Sequence, residues 1–360
     1  MTEADSPADR DPVALAEALT GYVQTTIAGS RAAATDVRRV SEGWETIIYA
    51  FTLADEDAGQ REELVLRAYP GQYATHKAQA EYQVISALAR AGYPVPRLFA
   101  LELDPSTLGS PFILMERLDG MPVSETAYRS PISECRRLID EFSGLAWQLH
   151  SFDWQALADQ APAVRKPWTP SDLTDLAGYN RRWLTGIREF FGQRGLAGLD
   201  PALDWLLERI DDAGDARLAL VHGDYHMRNV LLTGAGRQVV IDWTNAEIAD
   251  CRYDLAWTLL LQGMYDGWAV RESILAAYEE RLGHAVEWLH LFEAWVCIRR
   301  LLSMLVSLTQ GAESFGMRAG SAEIMRKQIW HMECVYMLLC ARTGLTCPET
   351  EALLERVRSG

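Results

Sequence analysis

Lysine is scarce in this chain. Its 360 residues hold three, Lys77, Lys166 and Lys327, so positive charge rests almost wholly on arginine. Lysine and arginine together number 34 against 50 aspartates and glutamates, a formal net charge of −16. No segment carries a basic stripe, which argues against a general nucleic-acid binder. Such an acidic balance attracts cationic ligands, although net charge by itself mostly reports solubility. The six cysteines, at 135, 251, 297, 334, 340 and 347, are scattered with no CxxC pair and no histidine at metal spacing. They read as reduced thiols of a cytoplasmic protein. The first residues, Met1-Thr2-Glu3-Ala4-Asp5, lack the basic and apolar stretches of a signal peptide. No uncharged apolar run approaches the length of a bilayer span, so no membrane partner is expected. Internal repeats and low-complexity segments are also missing. Oligomeric state is left open.

What is present is ordinary for a globular protein: 49% hydrophobic and 23% charged residues. Residues 1–12 read as a polar tail, and Pro12 to Ile27 as an amphipathic helix with Leu15, Leu19, Tyr22 and Val23 at helical spacing. Strands are expected over Val37–Val40, Thr46–Leu53, Glu63–Tyr69, Val95–Leu103 and Phe112–Glu116, with one helix from His76 to Ala91. From about Leu118 the pattern turns helical, apart from a β island between Leu218 and Trp243. Strands and helices do not alternate throughout, which excludes a doubly wound sheet. The fold class is therefore α+β. It comprises a β-rich lobe over 1–117 and a mainly helical lobe over 118–360 that carries an embedded hairpin.

The informative segment is Leu220-Val221-His222-Gly223-Asp224-Tyr225-His226-Met227-Arg228-Asn229-Val230-Leu231-Leu232. An apolar strand runs into His-Gly-Asp, a tight loop reaches Asn229, and a second strand follows. Gly234-Ala235-Gly236 then turns the chain, and Val239-Val240-Ile241 delivers Asp242-Trp243. Such a hairpin lets two carboxylates and an amide converge. Phosphoryl transfer needs such a set: one carboxylate to orient the attacking hydroxyl and accept its proton, and a second carboxylate plus an amide oxygen to hold a metal ion.

His222-Gly223-Asp224 with Asn229, Ile241-Asp242-Trp243, Asp250 and Asp254-Leu255-Ala256 resembles the aminoglycoside phosphotransferase family, within the protein-kinase-like fold. The resemblance reaches from about Val37 to Leu261. It implies a bilobal kinase fold, ATP and Mg²⁺ as cofactors, Asp224 as catalytic base, and Asn229 and Asp242 as metal ligands. His222 then anchors the loop. His226 either packs in the loop or touches substrate or phosphate. Asp254 acts as a helix cap or loop clamp. In the β-rich lobe, Ser41 and Gly43 fall where a hairpin covers the phosphates. Arg67 stands where kinases usually carry lysine and keeps the charge as a planar fork. Glu81 pairs with Arg67 on this reading, and with Lys77 one turn away on the plainer one. Met115, Glu116 and Leu118 fall where the chain borders the adenine. The expected activity is transfer of the γ-phosphate of ATP to a hydroxyl of a small molecule. An aminoglycoside or other antibiotic is one acceptor class. A metabolic alcohol of choline, homoserine, thioribose or hydroxyacyl type is another, and a nucleotide-binding pseudokinase is the non-enzymatic alternative.

Overall fold

The computed structural model describes residues 11–26, 31–42, 46–55, 59–71, 73–165, 173–194, 197–311 and 329–359. The chain divides into two compact units. One holds Met1–Gly120, Asp159–Val164 and Leu231–Thr244; the other holds Met121–Ala158, Arg165–Val230 and Asn245–Gly360.

The first unit is built on an antiparallel sheet of five strands: β1 (Ala32–Glu42), β2 (Ile47–Asp55), β3 (Gln60–Ala68), β4 (Leu98–Glu102) and β5 (Phe112–Glu116), in the order β1-β2-β3-β5-β4. Residues alternate between faces along a strand. Leu64, Leu66 and Ala68 of β3 thus join one core with Tyr49, Phe51, Phe112 and Leu114. Helix α1 (Pro12–Thr26) adds Leu15, Leu19, Tyr22 and Val23 to that core, the four positions its spacing marks. The intervening Arg67 belongs to the opposite face of β3. Helix α2 (Ala74–Arg90) buries Ala78, Glu81, Ile85 and Leu88, a stripe three and four residues apart. Glu81 therefore occupies the inward face of its helix.

After a short strand β6 (Gly120–Pro122), the second unit is mainly helical. It contains α3 (Val123–Arg129), α4 (Ile132–Ser151), α6 (Leu176–Arg194) and α7 (Asp200–Arg209); α5 (Trp154–Gln160) runs out of it. Strands β7 (Leu218–Val221), β8 (Val230–Thr233), β9 (Gln238–Val240) and β10 (Glu247–Asp250) follow. Helices α8 (Cys251–Tyr265), α9 (Trp268–Leu282), α10 (Leu289–Gln310), α11 (Ile329–Thr343) and α12 (Pro348–Ser359) complete the chain. Leu184, Leu206, Leu260, Phe292, Leu301 and Leu339 belong to one helical core. Cys297 and Cys347 are buried there, and all six cysteines are unpaired. No helix among the described residues is long and apolar enough to cross a membrane.

Strands β1 and β4 differ in their bounds from the sequence reading, β6 was not expected, and two larger features differ as well. The segment carrying Asp242 groups with the sheet unit, because Val240 N donates to Pro94 O (2.9 Å) and Gly234 N to Asp119 O (3.2 Å). Strand β10 pairs antiparallel with β7, with Glu247 opposite Val221 and Asp250 opposite Leu218. Four residues reading Glu-Ile-Ala-Asp carry little local strand signal, and pairing with a distant strand decides their conformation.

Candidate functional site

In the sheet unit the residues gather around Arg67. This arginine lies on β3, the middle strand, between Ile48 of β2 and Ile113 of β5, and is 7% exposed. A solvent-facing arginine on an edge strand is thereby ruled out. Its Nε donates to Glu81 Oε2 (3.2 Å), and its Nη2 donates to Thr244 Oγ1 (2.7 Å) and to Asp242 Oδ1. Burial pulls the guanidinium down, but the Asp242 and Glu81 carboxylates outweigh it and hold it above its ordinary value. Glu81 is 1% exposed and accepts further bonds from Tyr69 OH (2.6 Å) and Trp243 N (3.2 Å), and its Oε2 lies 2.9 Å from Thr244 Oγ1. It is no surface partner of Lys77. Burial and the Glu81 charge push the Tyr69 hydroxyl well up, so it stays a donor. Asp242 stands at φ 67°, in the left-handed region that non-glycine residues seldom enter, and its side chain is 39% exposed. Backbone strain of this kind persists only where surrounding contacts over-determine it.

The remaining candidates of that unit lie elsewhere on the sheet. Ser41 is on β1 opposite Ile48; Gly43 lies outside the described residues. Glu116 ends β5 and accepts from Arg97 N (2.8 Å), and Leu118 follows, half-buried.

In the helical unit the loop after β7 is fixed from several sides. Asp254, on α8, is 1% exposed and accepts from His222 N (3.0 Å), Gly223 N (2.9 Å) and His150 Nε2 (3.1 Å). Burial raises its carboxyl, but His150, His222 and the loop amide outweigh that and lower it overall. Asp254 thus clamps the loop, while Asp250 caps α8 by accepting from Arg252 N (3.0 Å). Gly223 has φ 75°, and a Cβ there would sit 2.4 Å from Asn245 O, so only glycine fits. His222 Nδ1 accepts from Asp224 N (3.2 Å), and Tyr225 OH donates to Phe142 O (2.8 Å).

The Asp224 side chain, next on that loop, is 31% exposed. Trp257 Nε1 donates to its Oδ1 (3.0 Å), and His226 Nε2 is 3.6 Å from its Oδ2. Burial pushes this carboxyl up. His226, the Trp257 N–H and the nearby His222 outweigh that and hold it well below the ordinary carboxylate range. Asn229 Nδ2 donates to Asp224 O (3.0 Å), so its amide nitrogen is committed locally and its oxygen is left for another partner. Arg299 lies over Trp257 at 4.1 Å from the ring centroid and donates to Gly223 O (3.3 Å).

Five of these residues were not read from the sequence as parts of a site: Tyr69, Thr244, Trp257, His150 and Arg299. Thr244 and Trp257 sit two and three residues from Asp242 and Asp254, so proximity to the motif was an available signal. His150 and Arg299 come from distant helices and carried none. Among the described residues no three His, Cys, Asp or Glu side chains gather as a metal site. A cation that keeps its waters and phosphate oxygens and takes one or two protein ligands needs no such cluster. Within the sheet unit Asp242 Oδ2, and within the helical unit Asn229 Oδ1, is a hard oxygen donor of the kind such a cation takes.

A sheet unit with a buried Arg–Glu pair, and a helical unit with a clamped His-Gly-Asp loop, are the parts of a kinase-like phosphotransferase. Residues 36–291 match the model of the phosphotransferase enzyme family, and the chain belongs to that family. Among solved structures, a putative aminoglycoside phosphotransferase from Ralstonia eutropha superposes with a TM-score of 0.60 at 19% identity, covering 95% of this chain and 98% of that one. A thermostable mutant of the aminoglycoside phosphotransferase APH(4)-Ia, in ternary complex with AMP-PNP and hygromycin B, gives 0.54 at 18%, over 91% and 100%. An ethanolamine kinase of Plasmodium vivax gives 0.55 at 14%, over 88% and 84%. At these identities the likeness is one of fold. Among curated proteins, acyl-CoA dehydrogenase family member 10 of Mus musculus is 24% identical over 255 residues, 68% of this chain and 22% of that protein. The chain spans about a fifth of the length of the curated relatives it matches.

Proposed function

We propose that the protein transfers the γ-phosphoryl group of ATP to a hydroxyl group of a small molecule. The observation that carries the reading is Asp224: a partly exposed carboxylate, oriented by Trp257, on a loop clamped by Asp254. The acceptor oxygen bonds to the γ-phosphorus, the bond from that phosphorus to the bridging oxygen breaks, ADP departs, and the hydroxyl proton passes to Asp224. A carboxyl held this far below the ordinary range is a weak proton acceptor. Its main service is to orient the hydroxyl, which suits a loose transition state with little need for early deprotonation. Asn229 and Asp242 hold Mg²⁺, which when bound neutralises the polyphosphate. Arg67 has Nε and Nη2 committed within the protein and offers Nη1 to the phosphates. Ser41 and Gly43 cover the phosphates. The backbone at Glu116 to Leu118 borders the adenine. His222, His226 and Asp254 support the loop. The working compartment is the cytoplasm.

The acceptor is a hydroxylated molecule of the aminoglycoside or other antibiotic type. The acidic chain suits a cationic partner of this kind. A second reading has a specific observation behind it: the curated relatives are acyl-CoA dehydrogenase family members, which favours a metabolic hydroxyacyl thioester. A transfer screen with γ-labelled ATP against aminoglycosides, amino alcohols, homoserine and hydroxyacyl thioesters tests both. Label should move to one class in the parent and not in Asp224→Asn. A parent that neither binds ATP nor transfers or hydrolyses its phosphate would end the proposal.

A further inference from the structure

Thr244 is a small residue with more asked of it than one hydroxyl can give. Its Oγ1 lies 2.7 Å from Arg67 Nη2, 2.9 Å from Glu81 Oε2 and 3.1 Å from Asp242 Oδ1. Arginine only donates, so the hydroxyl accepts from Arg67 and has one proton for two carboxylates. Glu81 is already well supplied, by Arg67 Nε and Tyr69 OH at Oε2 and by Trp243 N at Oε1. Asp242 is not: the partners of its Oδ1 are Arg67 and Thr244. Asp242 is also the residue whose backbone stands at φ 67°.

We infer that Thr244 is a positioning residue for Asp242. With Arg67 it binds Oδ1, keeps the aspartate in its left-handed conformation, and leaves Oδ2 as the single oxygen offered to a divalent cation. The inference rests on the phosphotransfer reading above. Without the hydroxyl, Oδ1 is held by Arg67 alone and the carboxylate turns more freely about Cβ–Cγ. Cation binding must then fix the ligand's orientation as well as form the bond. Valine has the shape of threonine without the hydroxyl. Serine keeps the hydroxyl.

The experiment uses the full chain with AMP-PNP at saturation and Mn²⁺ as the probe, with free Mn²⁺ counted by electron paramagnetic resonance. Thr244→Val should bind Mn²⁺ about tenfold more weakly, the worth of one hydrogen bond to a charged group. Thr244→Ser should restore binding close to the parent's, and metal-free AMP-PNP affinity should not move in either. A purely structural threonine would lower the melting temperature without this split. Thr244→Ala removes the same hydroxyl and stands in if the valine variant fails to fold. Asp242→Ala is run alongside. Mn²⁺ curves of Thr244→Val and the parent that overlay, while Asp242→Ala weakens binding, overturn the inference alone. Overlay of all three removes the metal assignment and the inference with it.

Discussion

Replacing Arg67 with alanine removes the one cation that ties β3 to two carboxylates, and the cost can be worked from the contacts. Breaking a buried ion pair by deleting one partner costs about 3–5 kcal/mol, because the other charge is left without its counter-ion. Glu81, at 1% exposure, has no route to water. It does keep two donors, Tyr69 OH and Trp243 N. Asp242 is 39% exposed and can be solvated. Both facts place the loss at the lower end, about 3 kcal/mol for Arg67→Ala. Arg67→Lys restores a charge but reaches one carboxylate at a time, so about half of the loss should return. The assay is ligand-free hydrogen exchange of the β3 amides under increasing urea, which reads the stability of the sheet unit directly. Because no ligand is present, the outcome is independent of the proposed activity. An alanine variant within about 1 kcal/mol of the parent, the range of an exposed pair, would refute the reasoning.

Four further outcomes are expected. Asp224→Asn should lower transfer by about 10²–10⁴-fold with ATP binding retained, checked by single-turnover kinetics and nucleotide titration. Asp242→Ala should raise the magnesium requirement more than Asn229→Ala does, since a charged oxygen contributes more to a hard cation than an amide oxygen. Gly223→Ala should lower the melting temperature and abolish transfer, because its Cβ meets Asn245 O at 2.4 Å and its φ is 75°. His331 is fully buried, accepts from Arg300 Nε (3.2 Å), and has its pKa lowered to about 3 by burial and then by Arg300. An unfolded histidine binds its proton near pH 6.5 and the folded one does not. The stability it contributes is therefore full above pH 6.5 and is lost as pH falls from 6.5 towards 3. Between pH 7.5 and 5.5 the parent should lose about 1.4 kcal/mol more than His331→Phe in urea unfolding; equal losses would count against a neutral buried imidazole.

How far these features could be read from the sequence depends on how local they are. The strand–loop–strand order from Leu220 to Asp242 is written in consecutive residues, and so is Phe112–Glu116, found at the boundaries expected. The apolar spacing of Ala80, Val84, Ile85 and Leu88 showed a helix, but whether Glu81 on it pairs with Arg67 or with Lys77 is decided by the strand opposite. Strand β10 was invisible because its reason for being a strand is β7, and His150 because its reason for being near the loop is Asp254 on another helix.

The two units share one arrangement that no motif spells out. In each, a carboxylate with access to solvent is backed by one with almost none: Asp224 at 31% by Asp254 at 1%, and Asp242 at 39% by Glu81 at 1%. The buried member cannot react with a ligand it cannot reach. What it does is saturate itself with donors from the backbone and neighbouring side chains: His222 N, Gly223 N and His150 for Asp254, and Arg67, Tyr69 and Trp243 N for Glu81. An ion that deep is tolerated only when fully satisfied. Its demand for partners therefore fixes the very loop or residue on which the exposed acid stands. Removing a buried member should then disturb its exposed partner's geometry more than its charge. Asp254→Asn keeps the shape but offers an amide N–H₂ where one of the loop amides needs an acceptor. The expected result is a transfer rate lower by about 10²-fold, the cost of a misplacement of about 1 Å. ATP affinity should hold, and hydrogen exchange at His222 and Gly223 should speed up in parallel. A slowed rate with those two amides as protected as in the parent would mean that Asp254 acts on Asp224 through charge, and the clamp would be the wrong account.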